Sequence, residues 1–153
     1  MNRRILLRAA ALAPAASLMA CATQAPSQLA TDVTLIASGL TAAIAQIKQI
    51  PAVPSATVTQ LDAYLAAVQA DAAQVAGATS APATSTVQQI AQVVQAVAST
   101  VLPLVPGGSV VEATVQAAVS LLPAVMAEIG VSGATAPMKF TPDQARLILA
   151  AAH

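Results

Sequence analysis

The chain has 153 residues, of which 57% are hydrophobic and only 8% are charged, and it contains one cysteine. A single cysteine excludes a disulfide within the chain. Three of its six cations lie in the first eight residues, so the rest of the chain has a formal charge of −3 and no excess of cations to bind nucleic acid. Alanine supplies about a quarter of all residues and aromatic residues are nearly absent. We therefore expect a fold made of small and aliphatic side chains.

The first twenty residues have the arrangement of an export signal. Three arginines, Arg3, Arg4 and Arg8, precede every acidic residue of the chain. The uncharged run of residues 9–20 that follows is too short to span a bilayer and contains Pro14. A basic start, a short apolar run and small residues at its end are typical of a secretory signal peptide. We therefore predict that this segment directs export and is removed.

The end of this segment, Leu18-Met19-Ala20-Cys21, resembles the lipobox of bacterial lipoproteins. The resemblance implies that the Cys21 thiol takes a diacylglycerol, that the signal is cut before Cys21, and that the new amine is acylated. The protein would then face the periplasm and have the membrane as a partner through its lipid anchor. Because Ala22, and not an aspartate, follows the cysteine, the resemblance also implies the outer membrane.

Three other interpretations of the N-terminus stay open. Ala20-Cys21-Ala22 has the form of an ordinary signal-peptidase site, and cleavage there would leave a soluble secreted protein beginning at Thr23. The segment could instead be an uncleaved cytoplasmic helix in which Cys21 is only small and apolar. The run from Asn2 to Arg8 also resembles a twin-arginine signal, so the export route is open too.

The rest of the chain divides into a tether and one domain. Residues 1–20 are predicted to be the export signal, residues 21–28 a polar tether, and residues 29–153 a single helical domain. Within the domain, apolar residues recur at three- and four-residue steps between Pro and Gly breaks. This spacing predicts helices over residues 29–50, 57–76, 85–105, 109–129 and 141–152.

Helix ends are predicted from residues that suit the first or last turn. Capping boxes are expected at Thr57, Ser85 and Ser109, and Thr141 followed by proline is a strong start for the last helix. The other terminal features are Asp32 in a first turn, Lys48 in a last turn, and a kink at Pro123. Because no stretch alternates with period two, we predict an all-α fold: an Ala-rich bundle of four amphipathic helices plus a short C-terminal helix.

Few residues could perform catalysis or hold a metal. The only histidine, His153, is the last residue, so we expect no catalytic group, metal site or cofactor. Asp62 and Asp71 are nine residues apart, on opposite sides of one helix. Glu128, near the end of a helix where a carboxylate is unfavourable, has no assigned role beyond a solvated surface.

Two functions follow from these patterns. The first is a lipid-anchored envelope protein with a structural or interaction role, whose partner is another envelope protein or a second copy of the chain. The second is a membrane-active protein whose third and fourth helices insert into the bilayer. Glutamines on one face of the third helix and valines on the other favour the first.

Overall fold

The computed structural model describes residues 25–80, 82–131 and 138–152. Within these ranges the backbone forms five α-helices and no strand, which confirms the predicted all-α class. The helices are α1 (Ala25–Ile47), α2 (Ser55–Gly77), α3 (Thr84–Val101), α4 (Val110–Glu128) and α5 (Pro142–Ala151), and a 3-10 turn at Leu102–Leu104 follows α3.

The helices form a bundle. Consecutive helices from α1 to α4 pack on one another, α4 packs back on α1, and α5 lies against both α4 and α1. Lys48 just after α1 pairs with Asp62 in α2, while Gln69 further along α2 donates to Thr41 Oγ1 at 3.2 Å. These two contacts show that α1 and α2 run antiparallel, as their short connection requires.

The core consists of the aliphatic positions that recur along each helix. In α1 and in α3, the large aliphatic positions that recur at three- and four-residue steps are all buried. In α2 the predicted stripe is less complete, because Val58 and Leu65 are only half-buried. The buried residues of the complete stripes in α1 and α3 are Leu29, Val33, Ile36, Leu40, Ile44 and Ile47 in α1, and Val87, Ile90, Val94, Val97 and Val101 in α3.

The first helix begins earlier than its apolar pattern predicts. Residues 25–28, which the sequence assigns to the tether, are the first residues of α1. Pro26 is compatible with this start because a first-turn proline loses no helical hydrogen bond. Asp32 therefore lies about two turns into the helix, and Lys48 follows its last residue, so neither stands in the terminal turn predicted for it.

Two of the predicted caps are confirmed. The hydroxyl of Ser109 accepts from the backbone N–H of Glu112 at 3.1 Å, at the start of α4. Thr141 and Gln144 form a full capping box at the start of α5. Each cap satisfies a backbone donor that the first turn of a helix would otherwise leave unpaired.

The other two predicted caps are wrong. α2 begins at Ser55 after Pro54, and α3 begins at Thr84 after Ala83, with no side-chain cap at either start. Thr57 and Ser85 therefore lie inside the first turn and not before it. A proline or an extended alanine can end the preceding loop as well as a capping side chain, which the sequence pattern does not distinguish.

α4 continues as a helix through Pro123 and ends five residues later at Glu128. Proline removes one helical hydrogen bond and crowds the preceding turn. The neighbouring Leu122 and Val125 are buried in the core, so tertiary packing holds the helix together across this position.

Candidate functional site

The predicted lipidation site, Cys21, lies outside the described residues, as do the predicted export signal, residues 1–20, and His153. The first described residue, Ala25, is already helical and follows Cys21 by four positions. Four residues of extended chain reach at most about 14 Å. Any group attached to Cys21 is therefore confined to the neighbourhood of the N-terminal end of α1.

A buried ion pair joins α1 to α5 in the described part of the chain. The side chain of Asp32 is only 1% exposed. Arg146 donates to both of its oxygens, from Nε to Oδ1 at 2.8 Å and from Nη2 to Oδ2 at 2.7 Å. Paired, parallel hydrogen bonds of this kind are the strongest that a carboxylate and a guanidinium form.

The same guanidinium also holds a second carboxylate. Arg146 Nη1 donates to Asp143 Oδ1 at 3.0 Å, one turn earlier in α5. The hydrogen bonds that Arg146 donates to Asp32, more than any other contact, raise the pKa of Arg146 above its already high ordinary value. The arginine is thus a permanent cation whose Nε, Nη1 and Nη2 are all engaged.

A third carboxylate, Glu128, lies at the C-terminal end of α4 near this pair. Partial burial, followed by the negative charge of Asp32, raises its pKa above the ordinary 4.5, and the charge of Arg146 only partly opposes this. The charges of the pair that joins α1 to α5 thus act on a carboxylate of α4. Glu128 is exposed, as the sequence predicts. The prediction did not include the charges of Asp32 and Arg146, which act on its carboxylate.

The geometry of the Asp32–Arg146 pair fits a structural role better than a catalytic one. Both oxygens of Asp32 already accept hydrogen bonds and its side chain is shielded from solvent. A general acid or base must reach a substrate proton, which this carboxylate cannot do while it is paired. We interpret the pair as a clamp between α1 and α5.

Sequence reasoning missed this clamp because it placed Asp32 at a helix start. A signal was present, however. Asp32 is three residues after Leu29 and four before Ile36, so it stands on the apolar stripe itself. A charged residue on a buried stripe requires a partner, and only three cations follow residue 20.

A second polar cluster surrounds Glu112 at the start of α4. Its Oε2 accepts from the backbone N–H of Gly108, and its Oε1 accepts from Gln116 Nε2 at 2.8 Å and from Lys139 Nζ at 3.4 Å. The Gly108 hydrogen bond, followed by that of Lys139, lowers the pKa of Glu112 below 4.5. Gly108 has φ +82°, which favours glycine. The carboxylate thus connects the loop before α4 to the segment before α5.

A shallow groove of about 370 Å³ lies between α1 and α2. Its hydroxyls bond their own helix: Thr34 donates to the carbonyl of Ala30 at 2.7 Å, and Thr41 to that of Ala37 at 2.8 Å. No charged side chain lines it. Its lining consists of small and polar residues, namely Thr34, Ala37, Ser38, Thr41, Gln69, Ala72, Ala73 and Ala76.

Two helices are long and apolar enough to cross a membrane, by length and composition alone. They cover Gln28–Ile47 in α1 and Val110–Glu128 in α4, and half of each stretch is buried inside the bundle. Core helices of a water-exposed bundle have the same character. α3, which the membrane-active interpretation also requires, is not among them.

Metal-binding groups do not cluster in the described ranges: no three His, Cys, Asp or Glu residues are placed to hold an ion together. The three described cations, Lys48, Lys139 and Arg146, are each paired with a carboxylate. No protein-family model, curated protein or solved structure matches the chain.

Proposed function

We propose that the chain is a bacterial lipoprotein, anchored to a membrane by a diacylglycerol on Cys21 and facing the periplasm, with a structural or interaction role and no catalysis. The observation that carries the proposal is the N-terminal sequence. Three arginines precede an uncharged run that ends at the only cysteine of the chain, in a lipobox-like Leu18-Met19-Ala20-Cys21. Ala22 after the cysteine favours the outer membrane within the same resemblance.

The early start of α1 supports a close attachment to the bilayer. With Ala25 already helical, the tether of a lipidated Cys21 is about 14 Å long at most. The N-terminal end of α1 would then lie next to the membrane. Because α1 has 23 residues, its far end lies about 34 Å away along the helix axis.

The helix faces support a bundle that stands in water. We propose that α1 to α4 are the four amphipathic helices expected from the sequence and that α5 is the short fifth. In α3 the glutamines Gln88, Gln92 and Gln95 are exposed, while the valines opposite are buried. An exposed row of glutamines is unfavourable in a bilayer, where polar side chains lack water to bond.

The charge distribution supports an interaction role over recognition of polyanions. Every described cation is already paired with a carboxylate. Binding to nucleic acid needs free cations to replace the counterions of phosphates. We therefore propose that the partner is another envelope protein or a second copy of this chain.

The test is the intact mass and the N-terminal peptide of the protein recovered from its native host. A diacylglyceryl Cys21 terminus supports the proposal. A free Thr23 terminus contradicts it and makes the protein a soluble exported bundle, and an intact Met1 contradicts export altogether. A Cys21→Ser variant is the control, because it removes the thiol and must lose the lipid mass.

Membrane insertion is the second candidate, because α4 has the length and apolar character of a spanning helix. The two candidates differ once the anchor is gone. Residues 1–22 can be replaced by an ordinary secretory signal, so that the product begins at Thr23 without lipid. Carbonate washing of the membranes then releases a water-exposed bundle but leaves an inserted protein in the pellet.

A further inference from the structure

Four exposed hydroxyl side chains flank the connection between α2 and α3. Two of them follow the end of α2 and two lie in the first turn of α3. The backbone is extended at Ala78, directly after α2, and at Ala83, directly before α3. The hydroxyls therefore project from a surface connection whose neighbouring side chains are small. We call the four residues the connection hydroxyls: Thr79, Ser80, Thr84 and Ser85.

The connection hydroxyls form no hydrogen bond within the described part of the chain. Threonines inside the helices differ, because their hydroxyls donate to the carbonyl four residues earlier. These threonines are Thr34, Thr41, Thr59, Thr100 and Thr114. A residue in the first turn of a helix has no helical carbonyl four residues before it, and a residue in a connection has no helix at all. The connection hydroxyls can therefore react without first giving up a hydrogen bond to the protein.

The sequence around these hydroxyls favours a sugar as their modification. Serine and threonine together with proline are typical of O-glycosylated segments, and Pro82 lies between the two pairs. Attachment of a sugar through asparagine is excluded, because the only asparagine, Asn2, does not precede a serine or threonine at the required spacing. No charged residue lies between Asp71 and Glu112. A kinase that selects its substrate by charged neighbours therefore has none to recognise here.

We propose that the connection hydroxyls are acceptor sites for O-linked glycosylation. The sugar donor is a sugar whose C1 is bonded to the diphosphate of a nucleoside or of a polyprenol. A hydroxyl oxygen attacks C1, and the new bond from carbon to oxygen forms as the bond from C1 to the diphosphate breaks. The diphosphate leaves, and the hydroxyl proton passes to a base of the transferase. The reaction needs no unfolding of the bundle, because the four hydroxyls are already exposed.

The sugar would lie at the end of the bundle where α1 begins. This follows because α1 and α2 are antiparallel, so the end of α2 is next to the start of α1. Sugars are bulky and solubilising, so the modification would add groups that bind water to a stretch without charge. The proposal does not require a lipid on Cys21. A lipid is found on the N-terminal peptide and the sugar on an internal one, so the two proposals fail separately.

The experiment is mass spectrometry of the intact protein and its proteolytic peptides, recovered from the native host. We expect the wild type to carry added mass equal to whole sugar residues, on the peptide that contains residues 79–85. The fourfold variant Thr79→Ala, Ser80→Ala, Thr84→Ala, Ser85→Ala should lose this mass completely. The control is Ser55→Ala, which removes an exposed hydroxyl at the start of α2 and should keep the mass. Circular dichroism checks that the fourfold variant folds, as expected because no side chain caps α3.

A second arm identifies the donor. A variant that starts with methionine at Thr23 lacks the predicted signal and stays in the cytoplasm. Sugar on this variant indicates a nucleoside diphosphate donor, whereas sugar on the exported protein alone indicates a polyprenol donor on the far side of the membrane. A wild type without added sugar, sugar only at other residues, or the mass of a phosphate on the connection hydroxyls overturns the proposal.

Discussion

Replacing Arg146 by alanine tests whether the buried ion pair is the clamp between α1 and α5. The substitution removes the three hydrogen bonds to Asp32 and Asp143 and leaves the carboxylate of Asp32, only 1% exposed, without a cation. A buried charge that loses its partner typically costs about 3–5 kcal/mol. We expect Arg146→Ala to lower the free energy of unfolding by that amount, a large part of what a domain of this size has.

The assay is urea unfolding followed by far-ultraviolet circular dichroism, with thermal melting as a second measure. For a domain of about 130 residues, the expected loss corresponds to roughly 10–20 °C in the melting midpoint. The matched control is Lys48→Ala, which breaks the pair of Lys48 with Asp62. Those side chains are 40% and 46% exposed, and an exposed pair contributes about 0–1 kcal/mol.

The double variant with leucine at both Asp32 and Arg146 separates the net value of the pair from the penalty of an orphaned charge. Since no buried charge is left over, the double variant should lose less stability than Arg146→Ala alone. The reasoning is refuted if Arg146→Ala loses no more than Lys48→Ala. In that case Asp32 either reaches water or does not need its partner.

Two further predictions concern local fit and helix starts. A side chain at Gly39 in α1 would overlap Leu149 Cδ2 of α5, whose side chain is fully buried, so Gly39→Ala should destabilise by about 1–2 kcal/mol in urea unfolding despite the better helix propensity of alanine. Gly77→Ala, where nothing lies within 4 Å, is the control and should be neutral or stabilising, and equal losses at both sites would contradict the close approach of α5. Ser109→Ala should lose about 0.5–2 kcal/mol because the cap on Glu112 disappears, whereas Ser85→Ala, at a position without a capping bond, should stay within about 0.5 kcal/mol of the wild type. If Ser85→Ala loses as much stability as Ser109→Ala, Ser85 caps α3 as the sequence pattern predicts.

The helices and their buried faces could be predicted because they depend on a repeat within each segment. Ile36, Leu40 and Ile44 follow one another at helical spacing, and burial of that face is the simplest way to shield them from water. The starts of α2 and α3 could not be predicted as well. Thr57 and Ser85 are residue types that commonly cap helices. However, α2 begins two residues before Thr57, directly after Pro54, and α3 begins one residue before Ser85, directly after Ala83.

The clamp could be predicted only in part, because its two halves are 114 residues apart along the chain. The position of Asp32 on an apolar stripe indicates that some cation must reach it. Which cation does so depends on where α5 lies, and this depends on the contact of Leu149 with the backbone at Gly39. The close approach of two helices is a property of the assembled bundle, so it cannot be predicted from the periodicity within one helix.

The predicted N-terminal signal and the clamp therefore differ in how far a sequence can reveal them. An export signal acts as a linear segment, so Arg3, Arg4 and Cys21 can be interpreted in order without knowledge of the fold. Asp32 lies eleven residues after Cys21, yet its role depends on Arg146 near the other end of the chain. If Cys21 is lipidated, the helix that leaves the membrane is the helix that the clamp holds to α5.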